Sequence, residues 1–590
     1  SIQVIPEQVL KDQNSVRLRD VYRNISGVES AFTGFNTSNT ESPIIRGFED
    51  SNIYRNGFRL DATAPVDLAN IERVEVLKGP ASVLFGLGEP GGLLNIVTKQ
   101  PEDDSFLILE QEFGSYDRYR TTVDANAPLS KDGTWLGRVN VAYTNDDTFR
   151  DHDGIERVFI APTLTWRPSD ATSLTLDFSY SYEEYPFDHG LAFSAAGEPV
   201  SDISTFLGEP DFQSEREEIF AGYTFTHDFN DQLTFRNVFS FQHNENRINV
   251  FRHFGSANAS NQVNRNFERS VPEQTTFTMI TDLNYKFDLG PTKHEILVGV
   301  DARIDPEDSN GNDIGRGTAT NTLIDATNPQ YGQFGTTNIT FRADFATEDE
   351  AVGVYFQDQI TMADDRLHLL IGGRYDHVES SIDFDSATFN AANDRTETAF
   401  TARGGALYEL TDWLSPYVSV AESFNPTSNL FGNSVDRLDP EEGLAFEAGA
   451  KLSFFEGKLT STVGLYEITK DDVPVADPNN PGFQLNGGEQ RSRGFEVDIA
   501  GQLAPGWKII ANYAYTDTEV IDSDSLPEGS RFRNVPLHSA SLWSSYDFQP
   551  GSGLEGLGFG AGLRGTSDKL GDNAGSFELD GFVKADLAAW

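Results

Sequence analysis

From about Phe106 to Trp590 the chain repeats one pattern: roughly ten residues of alternating apolar and polar side chains, then a turn. In the stretch 173–182, Leu174, Leu176, Phe178, Tyr180 and Tyr182 fall on one face. Ser173, Thr175, Asp177, Ser179 and Ser181 fall on the other. A period of two is a β-strand, because successive side chains of an extended chain point to opposite faces. A long succession of such strands, each with one apolar face and ended by turn residues, predicts a transmembrane β-barrel. Twenty strands are expected between residues 105 and 590, among them 173–185, 269–287, 292–305, 530–547 and 576–590.

Composition agrees. No apolar run approaches the ~18 residues that a membrane-spanning helix needs. A mean hydropathy of -0.41 with 38% hydrophobic residues suits a wall that meets lipid on one face and water on the other. The absence of cysteine excludes a disulfide scaffold, a thiolate metal site and a cysteine nucleophile. A net charge of -48 argues against nucleic acid, which requires clustered Lys and Arg. Residues 1–103 hold ten basic and fourteen acidic residues, so -44 of that charge falls on the remainder, expected in lumen and loops. No leader precedes Ser1, so removal of a signal peptide before export is expected.

The predicted connections alternate in length. Tight turns are expected at Pro128 to Gly133, Arg167-Pro168-Ser169-Asp170, Leu289-Gly290-Pro291, Phe455-Glu456-Gly457 and Ala504-Pro505-Gly506, and long polar loops near 186–214, 251–268, 306–339 and 425–441. Short turns on one side and long loops on the other characterise outer-membrane barrels, with the long loops outside the cell. Trp135, Trp166, Trp413 and Trp507 fall at strand ends, and Trp135, Trp166 and Trp507 lie beside short turns, which predicts an aromatic girdle at the inner interface. The alternation breaks off in mid-pattern at Ala588-Ala589-Trp590. The expected fold class is therefore an all-β transmembrane barrel of about 22 antiparallel strands, about twenty of them present.

Residues 1–103 do not alternate. A helix-like stretch, Arg17–Ile25, is followed by three clusters: Ile44-Ile45-Arg46-Gly47-Phe48, then Ile71-Glu72-Arg73-Val74-Glu75-Val76-Leu77-Lys78-Gly79-Pro80, then Pro90-Gly91-Gly92-Leu93-Leu94-Asn95. In this order they closely resemble the plug domain of TonB-dependent outer-membrane receptors. Phe113-Gly114-Ser115-Tyr116, Ser423-Phe424-Asn425-Pro426, Leu438-Asp439-Pro440-Glu441 and Arg493-Gly494-Phe495-Glu496 extend the resemblance over nearly the whole chain. It implies an α+β plug, 1–103, inside the lumen of a barrel, 104–590. It also implies a monomeric, non-enzymatic transporter in the lipid of a Gram-negative outer membrane. In the family, ligand binding outside shifts the plug and presents an N-terminal TonB box to TonB, driven by ExbB and ExbD. Such a box would lie upstream of Ile2-Gln3-Val4-Ile5-Pro6. Glycines and prolines at 79–92 permit the close backbone approach that a compact plug requires. The resemblance implies that Glu72, Arg73 and Glu75 bond to the barrel wall; a solvated strand face is the alternative.

The plug motifs look most like those of ferric-hydroxamate, ferrioxamine/coprogen and ferripyoverdine receptors. That implies iron carried as a ferric siderophore, with no covalently bound cofactor and no resident metal. In relatives the arginine of the Ile-Arg-Gly-Phe motif touches the chelate. Arg46 carries that role over, and Arg59 and Asp61 of the plug apex are further candidates; equally, Arg46 could be buried against a carboxylate. The acidic barrel would repel a triply anionic catecholate or citrate complex, and favours a neutral or cationic hydroxamate. Tyr185, Phe187, His189, Phe251, His253, Phe254, Tyr331 and Phe334 of the long loops could line a concave site or simply pack the loops. Haem would want a histidine between Asn425-Pro426 and Ala448, where there is none. Cobalamin or sugar uptake, a passive porin and a hydrolase built around His152 are weaker alternatives. Asp305, Glu307, Asp308, Asn310 and Asp313 around Gly311 form a weak candidate calcium loop.

Overall fold

The computed structural model describes residues 1–590 apart from 32–40, 50–52, 61–65, 314–322, 334–342, 387–389, 427–437, 477–483 and 524–525. Asp61 and Phe334 lie outside the described residues. Long antiparallel strands follow one another in chain order round a barrel, from Phe106–Gly114 to Phe582–Ala589. The alternation that predicts them has its physical counterpart in burial. On the strand Gly154–Ser169, Val158 and Ile160 are 41% and 38% exposed on the outer face, whereas Phe159 and Ala161 are 3% and 2% exposed inside. Apolar side chains ring the outer surface where a bilayer would cover them. Trp135 and Trp166 stand side by side across adjacent strands, with ring centroids 6.0 Å apart, and Trp413 stacks on Phe454 at 6.1 Å. Both pairs, and Trp507, sit beside short turns, as a girdle on one rim requires.

Strand lengths depart from expectation on one arc. Leu233–Phe254 runs for 22 residues and Gln262–Leu289 for 28. The long loop expected at 251–268 is therefore mostly strand. Thr292–Asp313 likewise overruns the predicted 292–305, so the candidate calcium loop is a continuation of the wall. In the stretch 251–270 the inner face is covered by outer loops: Phe251, Val263, Arg265 and Ser270 are buried, and Val263 packs on Ala192 and Leu207. In the opposite sense, the strand predicted at 530–547 begins only at His538, and that predicted at 576–590 begins at Phe582.

The first hundred residues fold inside. Strands β1 (Ile2–Pro6), β2 (Val28–Ser30), β3 (Pro43–Ile45), β4 (Phe48–Glu49), β5 (Ile53–Arg55), β6 (Phe58–Arg59), β7 (Ile71–Lys78) and β8 (Gly92–Thr98) make two sheets. One has the order β1-β7-β8-β5-β6 and the other β2-β3-β4. β5 runs parallel to β8, and β5–β6 is a tight hairpin at the sheet's far edge. Ile5, Leu18, Ile45, Ile53, Val74, Val76 and Leu94 form the core, together with Ile510 and Trp543 from the wall. The helix predicted at Arg17–Ile25 is two 3-10 turns, Leu18–Asp20 and Tyr22–Asn24. The Asp20 carboxylate accepts the N–H groups of Val16 and Arg17 at 3.2 and 3.0 Å, which tightens that first turn. The α-helices are Glu7–Asp12 (α1), entered after Pro6 and carrying a Glu7–Lys11 ion pair of 2.9 Å, and Ser82–Phe85 (α2).

The Pro-Gly-Gly motif closes the two sheets onto each other. A Cβ on Gly91 would stand 2.1 Å from the Ile45 carbonyl oxygen, and one on Gly92 2.2 Å from that of Leu77, where φ is +136°. Gly92→Ala should therefore destabilise the plug by about 1–3 kcal/mol through backbone strain, seen as a lower urea midpoint for protease attack on residues 1–103. An unchanged midpoint would remove the close-approach argument.

Candidate functional site

Buried charge fixes how the plug sits. Arg46 occupies the β3–β4 turn with φ +51°, followed by Gly47 at +92°, and its side chain is 1% exposed. Its Nη1 donates to Glu447 Oε2 at 2.9 Å, while Nε and Nη2 donate to Glu496 at 3.2 and 2.9 Å. The guanidinium also lies 4.1 Å above the Tyr466 ring. Lys78 at the end of β7 adds a bond of 2.7 Å to Asp498, which also accepts the Ser26 hydroxyl at 2.9 Å. Desolvated charges of this kind persist only when paired and hydrogen-bonded. Arg46 is thus a clamp between plug and wall, the buried alternative of the two roles open to it.

A second clamp joins Asp67 to Arg120 at 2.6 Å and to Arg157 at 3.7 Å. Burial works against the charge on Asp67, yet Arg120 and then Arg157 hold its carboxyl below the ordinary aspartate range. Lys99 reaches Asp124 at 3.2 Å, and Lys470 of the wall meets Glu89 of the plug at 2.9 Å. The charges expected to touch the wall do otherwise. Arg73 pairs with Glu72 at 3.1 Å and Glu75 at 2.7 Å, and Glu75 accepts Asn95 at 3.0 Å, all within the plug. β7 turns Val74, Val76 and Lys78 one way, leaving Arg73 and Glu75 together on its other face.

Among the loop candidates, Tyr185 is buried, donates to Asn246 at 3.0 Å and lies 4.1 Å beneath the Arg216 guanidinium. Phe187 joins the same apolar cluster. Phe251 meets Phe212 and Phe267 at centroid distances of 5.0 and 5.3 Å. His189 lies 5.3 Å from His253. Tyr331 donates to the Phe206 carbonyl at 2.9 Å. These residues bind the outer loops to each other. Phe254 is 47% exposed. Arg59 sits at the plug edge, its charge acting on Asp305 of the wall.

The described concavity at the plug's outer end was not anticipated. A cavity of about 230 Å³ lies between the β3–β4 hairpin and the segment 526–537, floored by Phe48 and Glu89 and walled by Lys470, Arg531, Phe532 and Arg533. Phe48 and Phe532 meet edge to face at 5.8 Å. The Arg531–Glu578 and Arg533–Glu49 pairs are long, 3.5 and 3.8 Å, with both glutamates well exposed. Such pairs hold little energy, so their arginines are ready donors to a bound anion or oxygen ligand. The sequence signal was Arg531-Phe532-Arg533 in an otherwise acidic barrel, hidden because the stretch resembles a strand.

Two consequences can be measured. Arg46→Met strands two buried carboxylates and should cost about 3–5 kcal/mol of plug seating; adding Glu447→Gln and Glu496→Gln should restore much of it, both scored by urea-dependent protease access to the plug. In the outer loops, burial first, then His253 and Arg252, lower the His189 pKa to about 4. Its neutral form is favoured in the folded loop, so that packing is complete above pH 6.5 and weakens as pH falls from there toward 4. Protection factors in residues 186–213, with the intrinsic pH dependence of amide exchange divided out, should fall between pH 7.5 and 5, and replacing both His189 and His253, whose pKa is likewise lowered to about 4, by Gln should flatten that response.

Comparison with known proteins places this geometry. The pattern described as TonB dependent receptor-like, beta-barrel matches residues 163–590, and that of the TonB-dependent Receptor Plug Domain matches 1–93. The chain is 33% identical over 607 residues to the metal-pseudopaline receptor CntO of Pseudomonas aeruginosa, covering all of this chain and 84% of that receptor. It is 29% identical to the ferrichrome outer membrane transporter/phage receptor of Escherichia coli, covering 83% of it. The siderophore receptor PiuA from Acinetobacter baumannii superimposes with a TM-score of 0.91 at 24% identity, covering all of this chain and 90% of that one. The chain belongs to the TonB-dependent receptors, a family of plugged outer-membrane barrels that transport rather than catalyse.

Proposed function

We propose that this receptor resides in an outer membrane, captures a ferric siderophore of the hydroxamate type, and releases it inward when TonB, driven by ExbB and ExbD, engages the plug. The observation that carries the choice of chelate is the pairing of charge at the outer end. Arg150 lies against Asp188, Arg265 meets Glu209 at 2.8 Å, Arg252 meets Glu268 at 3.3 Å, and Arg216 meets Glu183 at 3.5 Å. These guanidiniums are matched by carboxylates within a chain of net charge -48. A triply anionic complex would have to displace such partners, whereas a neutral ferric trihydroxamate offers oxygen acceptors to Arg531 and Arg533 without that repulsion. The likeness to the ferrichrome transporter supports the same choice.

A second reading is a metal complex whose ligand carries carboxylates. Arg531, Arg533 and Lys470 around one cavity favour it, and the relative at 33% identity is named as the receptor of a metal complex.

Binding of purified receptor to a ferric trihydroxamate, a ferric tris-catecholate and a metal–polycarboxylate complex separates these. The trihydroxamate should bind most tightly, and Arg531→Gln or Arg533→Gln should each weaken it about tenfold or more, as loss of a charge-assisted hydrogen bond predicts. Preference for the catecholate, or indifference to both substitutions, would overturn the assignment. Growth of a receptor-deletion strain on the same complexes tests uptake.

A further inference from the structure

The lipid-facing side of the wall is not evenly filled. A hollow of about 720 Å³ lies across the strands from Phe106–Gly114 to Thr172–Tyr185. Ala127, Gly137, Val139 and Pro162 make its floor, with Leu107 at one side and Leu176 and Phe178 at the other. Alternation puts these on the outer face, since their chain neighbours Asn126, Arg138, Ala161 and Ser179 are buried on the inner one.

Two local features shape the hollow. Gly137 carries no side chain, and a Cβ there would stand 2.9 Å from the Leu129 side chain, which uses that space. Pro162 has no N–H to give, and the pairing of its strand with Thr172–Tyr185 passes from Ile160–Tyr180 directly to Thr163–Asp177. An unfilled space has no partner atoms, so a flexible apolar chain seated in it gains dispersion contacts that a flat wall does not offer.

At its inner end the hollow reaches the rim of short turns, two residues from Trp135. Among the described residues neither the Trp135 nor the Trp166 ring N–H is taken by a protein acceptor, whereas that of Trp507 goes to Ser544 at 2.8 Å. Both signs of charge share this rim. Lys131 and Asp132 are exposed on the turn, and the Arg167 N–H joins it by donating to the Thr134 carbonyl at 2.7 Å. The Arg167 side chain pairs with Asp103, both well exposed, a contact that holds little energy and is easily shared.

We propose that this hollow binds one acyl chain of an inner-leaflet phosphatidylethanolamine. Lys131 and Arg167 match its phosphate, Asp103 and Asp132 its ammonium, and the indole N–H groups its ester oxygens. A phosphatidylglycerol headgroup would meet the two carboxylates with no cation of its own, and a choline headgroup has no N–H to donate. The site rests on residence in an outer membrane, as proposed above, and is independent of which chelate is carried.

Native mass spectrometry of the receptor extracted from outer membranes in mild detergent should show one retained phosphatidylethanolamine. After delipidation the receptor should take up that lipid in preference to phosphatidylglycerol or phosphatidylcholine with the same chains. Ala127→Phe fills the floor and should abolish the adduct, while Val354→Phe, on the outer face of a distant strand, should leave it; heat-modifiable migration on gels confirms that each barrel is assembled. Lys131→Gln should weaken uptake about threefold, and Asp103→Asn should narrow the preference over phosphatidylglycerol by a like factor, as loss of one exposed ionic contact predicts. Equal retention of the three lipids, retention of lipopolysaccharide or detergent alone, persistence of the adduct in Ala127→Phe, or its loss in Val354→Phe overturns the site. A receptor that does not sediment with outer membranes would instead refute the residence on which the site rests.

Discussion

A charge taken out of water must find its opposite, and here many of the charges that leave water do so at the boundary between plug and wall. For Arg46, Lys78 and Asp67 of the inner domain, Glu447, Glu496, Asp498 and Arg120 supply the opposite charge from wall strands far away in sequence, and Lys99 is shared between Glu7 of the plug and Asp124 of the wall. Seating is therefore specific in rotation and depth, since a small displacement would leave several unpaired ions in a medium of low polarisability. Net adhesion from such pairs is modest, because desolvation offsets most of their attraction. Register is what they confer, and the apolar cluster of β1, β7 and β8 supplies the cohesion within the plug.

The outer cavity at Phe48, Arg531 and Arg533 adjoins the Arg46 clamp, because the β3–β4 hairpin that carries Arg46 also lines the cavity. Occupancy there is mechanically continuous with the clamp through Gly47, whose Cβ position would abut Thr518 and Phe532.

How far the sequence carried this follows from what each pattern encodes. Alternation marked the wall strands because lipid on one face and a filled lumen on the other impose opposite chemistry on neighbouring residues, as in Val158 and Phe159. It faded at Gln262–Val271, where polar residues such as Arg265 and Ser270 are buried under outer loops beside Val263, and it over-extended into 530–537, where Phe532 and Val535 turn inward as loop residues. The Ile-Arg-Gly-Phe motif located Arg46, but its role depends on Glu447 and Glu496, some 400 and 450 positions onward, and no local pattern brings those together. Glu72, Arg73 and Glu75 misled for the converse reason: they stand on a partly solvated strand face and pair with one another within the plug. The loop aromatics, candidates either for lining a ligand site or for packing, include Tyr185, Phe187 and Phe251, which pack against neighbouring loop and strand residues.

The overrun of the strands from Leu233 to Asp313 has a further consequence. At ~3.3 Å per residue and a tilt near 40°, Gln262–Leu289 climbs roughly 70 Å, against an apolar band of about 25 Å. Much of its length stands above the headgroups as a stiff turret, braced by backbone ladders. A ligand approaching from outside meets that rim well before it reaches the depth of the lipid.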